Sequence, residues 1–134
     1  MVEVDWNMLR DKAHGASGGA YAPYSGFAVG AAALVDDGRI VLGCNVENVS
    51  YGLTLCAECV LVGNLFSEGG GHLVAFTCSD SEGGILMPCG RCRQLLFEHG
   101  GGELAVDHPD GAVRLDELLP DAFGPAQKAR IGRG

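Results

Sequence analysis

The sequence predicts a single-domain α/β protein in which a mixed β-sheet of about five strands is covered by helices. The chain has 134 residues, an ordinary size for one domain, and 47% of them are hydrophobic. Helical and extended patterns alternate in the order helix, hairpin, helix, strand, helix, strand, and strand–helix–strand units imply a mixed sheet. No internal repeat or linker divides the chain, so we expect one domain over residues 1–134.

The first third of the chain predicts a helix followed by a β-hairpin. Asp5 can cap a helix over about Trp6–Ala13, and the glycine- and serine-rich stretch at 15–19 ends it. The apolar, small-residue segment that follows is typical of a buried strand, and an Asp-Asp-Gly turn predicts its return. The hairpin therefore consists of strands at 27–35 and 39–44, joined by a turn at 36–38.

The remainder of the chain predicts two helices that alternate with strands. Each helix begins at a cysteine motif and ends at a glycine cluster, which is the usual asymmetry of helix termini. The tail from about residue 125 is basic and glycine-tipped, and we expect it to be flexible. The predicted elements are a polar loop at 45–54, helices at 56–66 and 88–99, strands at 72–79 and 103–106, and a helical turn at 115–119.

Composition excludes several classes of function. Nine basic residues against 17 acidic ones give a net charge of -8, which argues against a nucleic-acid-binding groove and favours a neutral small molecule. No apolar window of about 18 residues is present, so we expect no membrane span. The N-terminus does not have the layout of a secretory signal, and the six cysteines are therefore interpreted as thiols or metal ligands in a cytoplasmic protein.

Two short segments carry the chemistry, Cys56-Ala57-Glu58-Cys59 and Pro88-Cys89-Gly90-Arg91-Cys92. Both lie at predicted helix starts, where free N–H groups and the helix dipole stabilise thiolates. Two interpretations are open. Four cysteines would form a closed structural zinc site, whereas three would leave a coordination position for water at a catalytic zinc. The long gap between the pairs and Glu58 beside Cys56 favour the catalytic interpretation.

At these residues the chain resembles the cytidine deaminase family. The zinc deaminase signature, a His-x-Glu motif followed by Pro-Cys-x-x-Cys, is matched with Cys56 in place of histidine. Further matches extend over nearly the whole chain: 21–27 with 29–32 resemble the family's first loop and strand, 45–48 its ribose-binding segment, 92–94 the continuation of the second zinc helix, and 119–124 its closing loop.

The resemblance implies a three-layer fold, one Zn²⁺ per chain and hydrolytic deamination of cytidine and 2′-deoxycytidine in pyrimidine salvage. Cys56, Cys89 and Cys92 would bind the zinc. Glu58 would take a proton from the zinc-bound water, pass it to N3 of the base, and hand a proton to the leaving amine after hydroxide attacks C4. The products are uridine or 2′-deoxyuridine and ammonia.

Substrate-binding residues follow partly from spacing and partly from the resemblance. Asn45 and Glu47 are two positions apart, so on an extended segment both side chains face the same way and suit ribose hydroxyls, and the carboxylate would repel a 3′-phosphate. The resemblance adds two substrate-binding residues: Phe27, which would pack against the base, and Ala57. It also implies a homotetramer in which Tyr51 and Phe123 reach a neighbouring subunit's site.

One position departs from the family's pattern. Many relatives have an arginine directly after the catalytic glutamate, and here Cys59 stands there. Positive charge to balance three thiolates would then come from Arg91, Arg93 or the two helix N-termini. Two alternative functions are open: the same chemistry on another substrate (a nucleoside antibiotic such as blasticidin S, a free base or a nucleotide), and a structural four-cysteine zinc module that mediates binding.

Overall fold

The structure is a computed structural model that describes residues 3–127. Its first helix is α1, Trp6–Ser17. The side chain of Asp5 accepts a hydrogen bond from the backbone N–H of Met8 (3.1 Å), as the capping prediction requires. The helix is one turn longer than predicted. It continues through Gly15 because its buried face, which includes Leu9, extends to Ser17 and packs on the sheet.

The predicted hairpin is present as β1, Val29–Val35, and β2, Ile40–Cys44. The two strands are antiparallel, with Gly30 opposite Cys44 and Leu34 opposite Ile40. A short 3₁₀ helix, Tyr51–Leu53, interrupts the predicted polar loop that follows. Helix α2, Ala57–Ser67, then leads through the glycine cluster to the next strand.

Strand β3, Leu73–Asp80, lies at the centre of the sheet. It pairs antiparallel with β1 on one side and parallel with β5, Ala105–Val106, on the other, so the sheet is mixed as predicted. Two strands were not predicted, β4, Ile85–Leu86, and β6, Val113–Arg114, because two residues give no alternating pattern. The described sheet therefore has six strands, in the order β2-β1-β3-β5-β6 with β4 paired to β3.

The helices cover both faces of the sheet, which gives three layers. Helix α3, Gly90–Gly100, and the short α4, Leu115–Leu118, complete the set. Successive residues of β1 point to opposite faces. Ala31 packs with Leu61 of α2 and Leu96 of α3, whereas Ala32 packs with Leu9 of α1. Within residues 3–127, no helix is long and apolar enough to cross a bilayer. Most of the predicted tail, residues 128–134, lies outside the described residues.

Two glycines allow helices to lie directly on the sheet. A Cβ atom on Gly30 would be 1.9 Å from the carbonyl oxygen of Ala13 in α1. A Cβ atom on Gly43 would be 2.3 Å from the carbonyl oxygen of Ala57 and 2.5 Å from the N atom of Leu61, both in α2. Any side chain at Gly43 would therefore displace the helix that carries Glu58.

We expect Gly43→Ala to lower the free energy of unfolding by about 1–3 kcal/mol, the usual range for overpacking. The reason is that the added methyl group meets backbone atoms of α2, which cannot rotate away. Urea unfolding would measure the change. Gly15→Ala is the matched control, because that exposed helical glycine has open space around it and alanine is the better helix former. Equal stability of the two variants would contradict the close approach of α2.

Candidate active site

The three predicted metal ligands meet where the N-termini of α2 and α3 come together. Cys56 is the N-cap of α2, Cys89 is the N-cap of α3, and Cys92 lies in the first turn of α3. Their sulfur atoms all lie within 4.8 Å of one another, although the two motifs are far apart in the sequence. The tertiary structure therefore builds a three-thiol cluster at two helix N-termini.

Cys59 does not belong to this cluster. It lies half-buried on α2, one turn after Cys56, outside the group of sulfur atoms that could share an ion. The four-cysteine interpretation requires Cys59 as a ligand, and the arrangement does not supply it. Three thiol ligands leave the fourth tetrahedral position free for water or substrate, which is the geometry of catalytic zinc sites.

The chemistry of the donor set fits zinc. Burial raises the pKa of the Cys56 and Cys92 thiols, so neither ionises readily without a cation. The pKa of Cys89 is lowered, chiefly by the backbone N–H of Cys92. A divalent metal that favours sulfur ligands would hold all three as thiolates, and tetrahedral sulfur sites are typical of zinc.

Glu58 is the second residue of α2 and is 5% exposed. Burial raises the pKa of its carboxyl group, and hydrogen bonding from its own backbone N–H and the neighbouring Cys92 thiol opposes that rise only in part. A carboxyl group whose pKa is raised toward neutrality can both accept and release a proton. The structure thus places the predicted proton carrier beside the thiol cluster.

The segment with Asn45 and Glu47 is joined to the thiol cluster through the backbone. The N–H and C=O groups of Val46 exchange hydrogen bonds with those of Leu55 (2.9 and 2.8 Å). Leu55 directly precedes Cys56, so the predicted ribose-binding segment runs alongside the metal site.

Both predicted side chains of this segment face the loop at 24–29. Asn45 is buried, and its amide accepts a hydrogen bond from the N–H of Val29 and donates one to the carbonyl of Phe27, each at 2.9 Å. Glu47 accepts hydrogen bonds from the N–H groups of Tyr24 and Ser25 (3.0 and 3.1 Å) and from the Ser25 hydroxyl. The bonds from Ser25 are the main reason that the pKa of Glu47 is lowered.

Glu47 also lines a surface cavity of about 340 Å³ together with Tyr51. Tyr24 and Ser25 line it as well, and sequence reasoning assigned them no role. The turn chemistry around Ser25 was visible in the sequence, but its hydroxyl bond to Glu47 joins residues that only the fold brings together.

The other predicted substrate residues differ in exposure. Phe27 is 52% exposed, whereas Ala57 is buried at the start of α2. Tyr51 and Phe123 are 80% and 59% exposed, and neither belongs to the hydrophobic core. Arg93, one of the two arginines expected to balance the thiolate charge, donates hydrogen bonds to the carbonyl oxygens of Pro88 and Leu118.

Comparison with known proteins finds similarity to deaminases over most of the chain. A family model described as the cytidine and deoxycytidylate deaminase zinc-binding region matches residues 6–106. A cytidine deaminase of Mycobacterium tuberculosis is 69% identical over 124 residues, which cover 92% of this chain and 93% of that protein. One from Halalkalibacterium halodurans is 41% identical over 125 residues, covering 90% and 95%.

Solved structures give the same result. The crystal structure of cytidine deaminase from Mycobacterium tuberculosis matches with a TM-score of 0.89 at 70% identity, covering 91% of this chain and 99% of that one. The crystal structure of cytidine deaminase from Mycobacterium leprae matches with a TM-score of 0.87 at 54% identity, covering 89% and 100%.

Proposed function

The chain belongs to the cytidine and deoxycytidylate deaminase family, and from this we propose that it converts cytidine and 2′-deoxycytidine with water to uridine and 2′-deoxyuridine plus ammonia. The observation that carries the proposal is the cluster of Cys56, Cys89 and Cys92 with the buried Glu58 beside it. A three-ligand metal site next to a carboxyl group of raised pKa is what metal-assisted hydrolysis requires.

The roles of the residues divide between binding the metal and moving protons. Cys56, Cys89 and Cys92 would hold one zinc ion, which would act as a Lewis acid and lower the pKa of the attacking water toward neutrality. Glu58 takes a proton from the attacking water and delivers it to N3 of the base. The water oxygen bonds to C4, and Glu58 then takes the second proton from the resulting C4 hydroxyl and passes it to the amine. The C4–N bond breaks, ammonia leaves, and the C4 carbonyl forms. The burial of Glu58 excludes water that would compete for the same proton.

The substrate is held by the loop segments beside the thiol cluster. Glu47 accepts hydrogen bonds from the ribose hydroxyls. Asn45 contributes partly by holding the backbone of Phe27 and Val29 in place through its amide hydrogen bonds. Phe27 packs against the base and Ala57 borders it. Glu47 is negatively charged at neutral pH, in keeping with the lowered pKa that its bonds from Ser25 give it, and this charge favours a nucleoside over a 3′-phosphorylated substrate.

Glu47→Gln is expected to raise the KM for cytidine by about tenfold or more, because a hydrogen bond from ribose to a charged acceptor is lost. The change in kcat should be smaller, since the ribose contact is made before the reaction. Steady-state kinetics with cytidine measures both constants. Glu98→Gln, which removes one negative charge from an exposed position on α3, is the control. An unchanged KM in Glu47→Gln would contradict the ribose contact.

Ultraviolet-monitored turnover of cytidine, with the zinc content determined on the same sample, tests the function directly. We expect turnover with about one zinc per chain, as a three-ligand site requires. A panel with blasticidin S, cytosine and cytidine monophosphate tests the alternative substrates. A preference for a phosphorylated substrate would contradict the nucleoside proposal. Zinc without any turnover would favour another substrate or the structural module.

A homotetramer is the assembly that we propose. Support comes from apolar side chains that the single chain leaves exposed near the site, Val49 (75%), Tyr51 (80%) and Leu53 (65%). Helix α2 is apolar on most sides and exposes Phe66, and a helix of that kind is usually covered on both faces. Tyr51 and Phe123 would then complete the site of a neighbouring subunit. Light scattering that finds only monomers would contradict this assembly.

The setting that we propose is pyrimidine salvage in the cytoplasm, with the whole chain acting as one deaminase domain. None of the six cysteines forms a disulfide, as is usual for proteins of reducing compartments. The net charge of -8 supports a small nucleoside rather than a nucleic acid as the partner.

A further inference from the structure

The chain from Leu118, the last residue of α4, to Phe123 is tied to α3 at both of its ends. We call residues 118–123 the closing segment. The guanidinium of Arg93 donates to the carbonyl oxygen of Leu118 (2.9 Å), and the amide of Gln94 donates to the carbonyl oxygen of Phe123 (2.8 Å). Two consecutive residues of one helix therefore hold the first and the last residue of the closing segment.

Two further observations indicate that the closing segment has a defined shape. Asp121 has a φ of 53°, and within residues 3–127 it is the one non-glycine residue with a positive φ. Aspartate is one of the few non-glycine residues that adopt this left-handed region, and it does so mainly in turns, so Asp121 marks a turn in the closing segment. A Cβ atom on Gly124 would also be 2.9 Å from the ring of Phe97, so the chain just beyond the segment lies against α3.

Phe123 depends on these contacts for its position. Its side chain is 59% exposed and belongs to no core cluster of its own chain, so packing does not fix it. Its backbone is held instead by Gln94. Arg93 also donates to the carbonyl oxygen of Pro88 (2.8 Å), the residue before the ligand Cys89. The same pair of residues thus contacts both the metal-binding turn and the closing segment.

We propose that Arg93 and Gln94 are positioning residues that set the place of Phe123 for the substrate of a neighbouring subunit. This inference rests on the proposed function, in which Phe123 completes that subunit's site. Helix α3 then serves two sites: it brings Cys89 and Cys92 to the metal of its own subunit, and it holds the closing segment that reaches the next one. Gln94 gives the cleaner test, because Arg93 also holds the turn before Cys89.

Gln94→Ala is expected to raise the KM for cytidine by about fivefold, the fold-change that matches the net contribution of one neutral hydrogen bond. Gln94→Glu should do the same, because a carboxylate of equal size cannot donate to the Phe123 carbonyl. The kcat, the zinc content and the unfolding midpoint should stay close to those of the unmodified protein. Glu98→Ala, one turn further along the exposed side of α3, is the control.

A double-mutant cycle with Phe123→Ala separates this inference from the proposed function. If Gln94 acts through Phe123, the double variant should have the KM of Phe123→Ala alone. Additive effects, or an unchanged KM in both Gln94 variants while Phe123→Ala raises it, would overturn the inference and leave the proposed function intact. An unchanged KM in Phe123→Ala would instead overturn the proposed role of Phe123, and the inference with it.

Discussion

Glu58→Gln is expected to reduce kcat for cytidine by about 10²- to 10⁴-fold, the usual contribution of a positioned proton carrier. The amide has nearly the same size and fits the same buried place, but it can neither accept a proton from water nor deliver one to N3. The zinc content should not change, because none of the three thiols is altered. The fold should also persist, because removal of a buried carboxylate relieves the desolvation that raises the pKa of Glu58.

Three measurements on one sample decide this prediction: ultraviolet-monitored turnover, zinc content and thermal unfolding. Glu117→Gln is a suitable control, because Glu117 lies exposed on α4 and a glutamine can still accept its capping hydrogen bond from the N–H of Arg114. Turnover close to that of the unmodified protein would reject the assigned role. Loss of activity accompanied by loss of zinc or of the folding transition would assign Glu58 a structural role instead.

Replacing a cysteine of the α2 motif should change the zinc content in one case and not in the other, which distinguishes Cys56 from Cys59. Cys56→Ala is expected to lose most of its zinc together with its activity, because two remaining thiols do not make a three-ligand site. Cys59→Ala should keep about one zinc per chain and remain active, since Cys59 lies outside the cluster. Cys56 is the N-cap of α2 and Cys59 lies one turn further along, and both are half-buried, so the pair is matched for burial class.

Zinc stoichiometry by elemental analysis, alongside turnover, measures the outcome. Cys44→Ala, which changes a half-buried thiol at the end of β2, controls for the loss of any cysteine. Release of zinc from Cys59→Ala would support the structural four-cysteine module and reject the three-ligand site. Retention of zinc and activity by Cys56→Ala would remove Cys56 from the ligand set.

Much of the fold and of the metal site could be predicted because the signals are local. The capping of α1 by Asp5 and the hairpin turn at 36–38 depend on residues that are close in the sequence. The two cysteine motifs at helix starts likewise indicate candidate metal ligands and the candidate proton carrier Glu58 without any knowledge of how the helices pack. Strands β4 and β6 were not predicted, because their sequence patterns are too short. The end of α1 was predicted one turn too early, because packing on the sheet extends that helix.

The sequence by itself determined the residue types and their local geometry: thiols at two helix N-termini, a carboxylate one residue inside α2, and an amide and a carboxylate two positions apart. Only the tertiary structure decided which of these meet. It left Cys59 out of the thiol cluster, joined Ser25 to Glu47, and held the closing segment through Arg93 and Gln94. The physical reason is that helix caps and turns arise between neighbouring residues, whereas the approach of α2 to α3 depends on how both pack on the sheet, down to the absence of a side chain at Gly43.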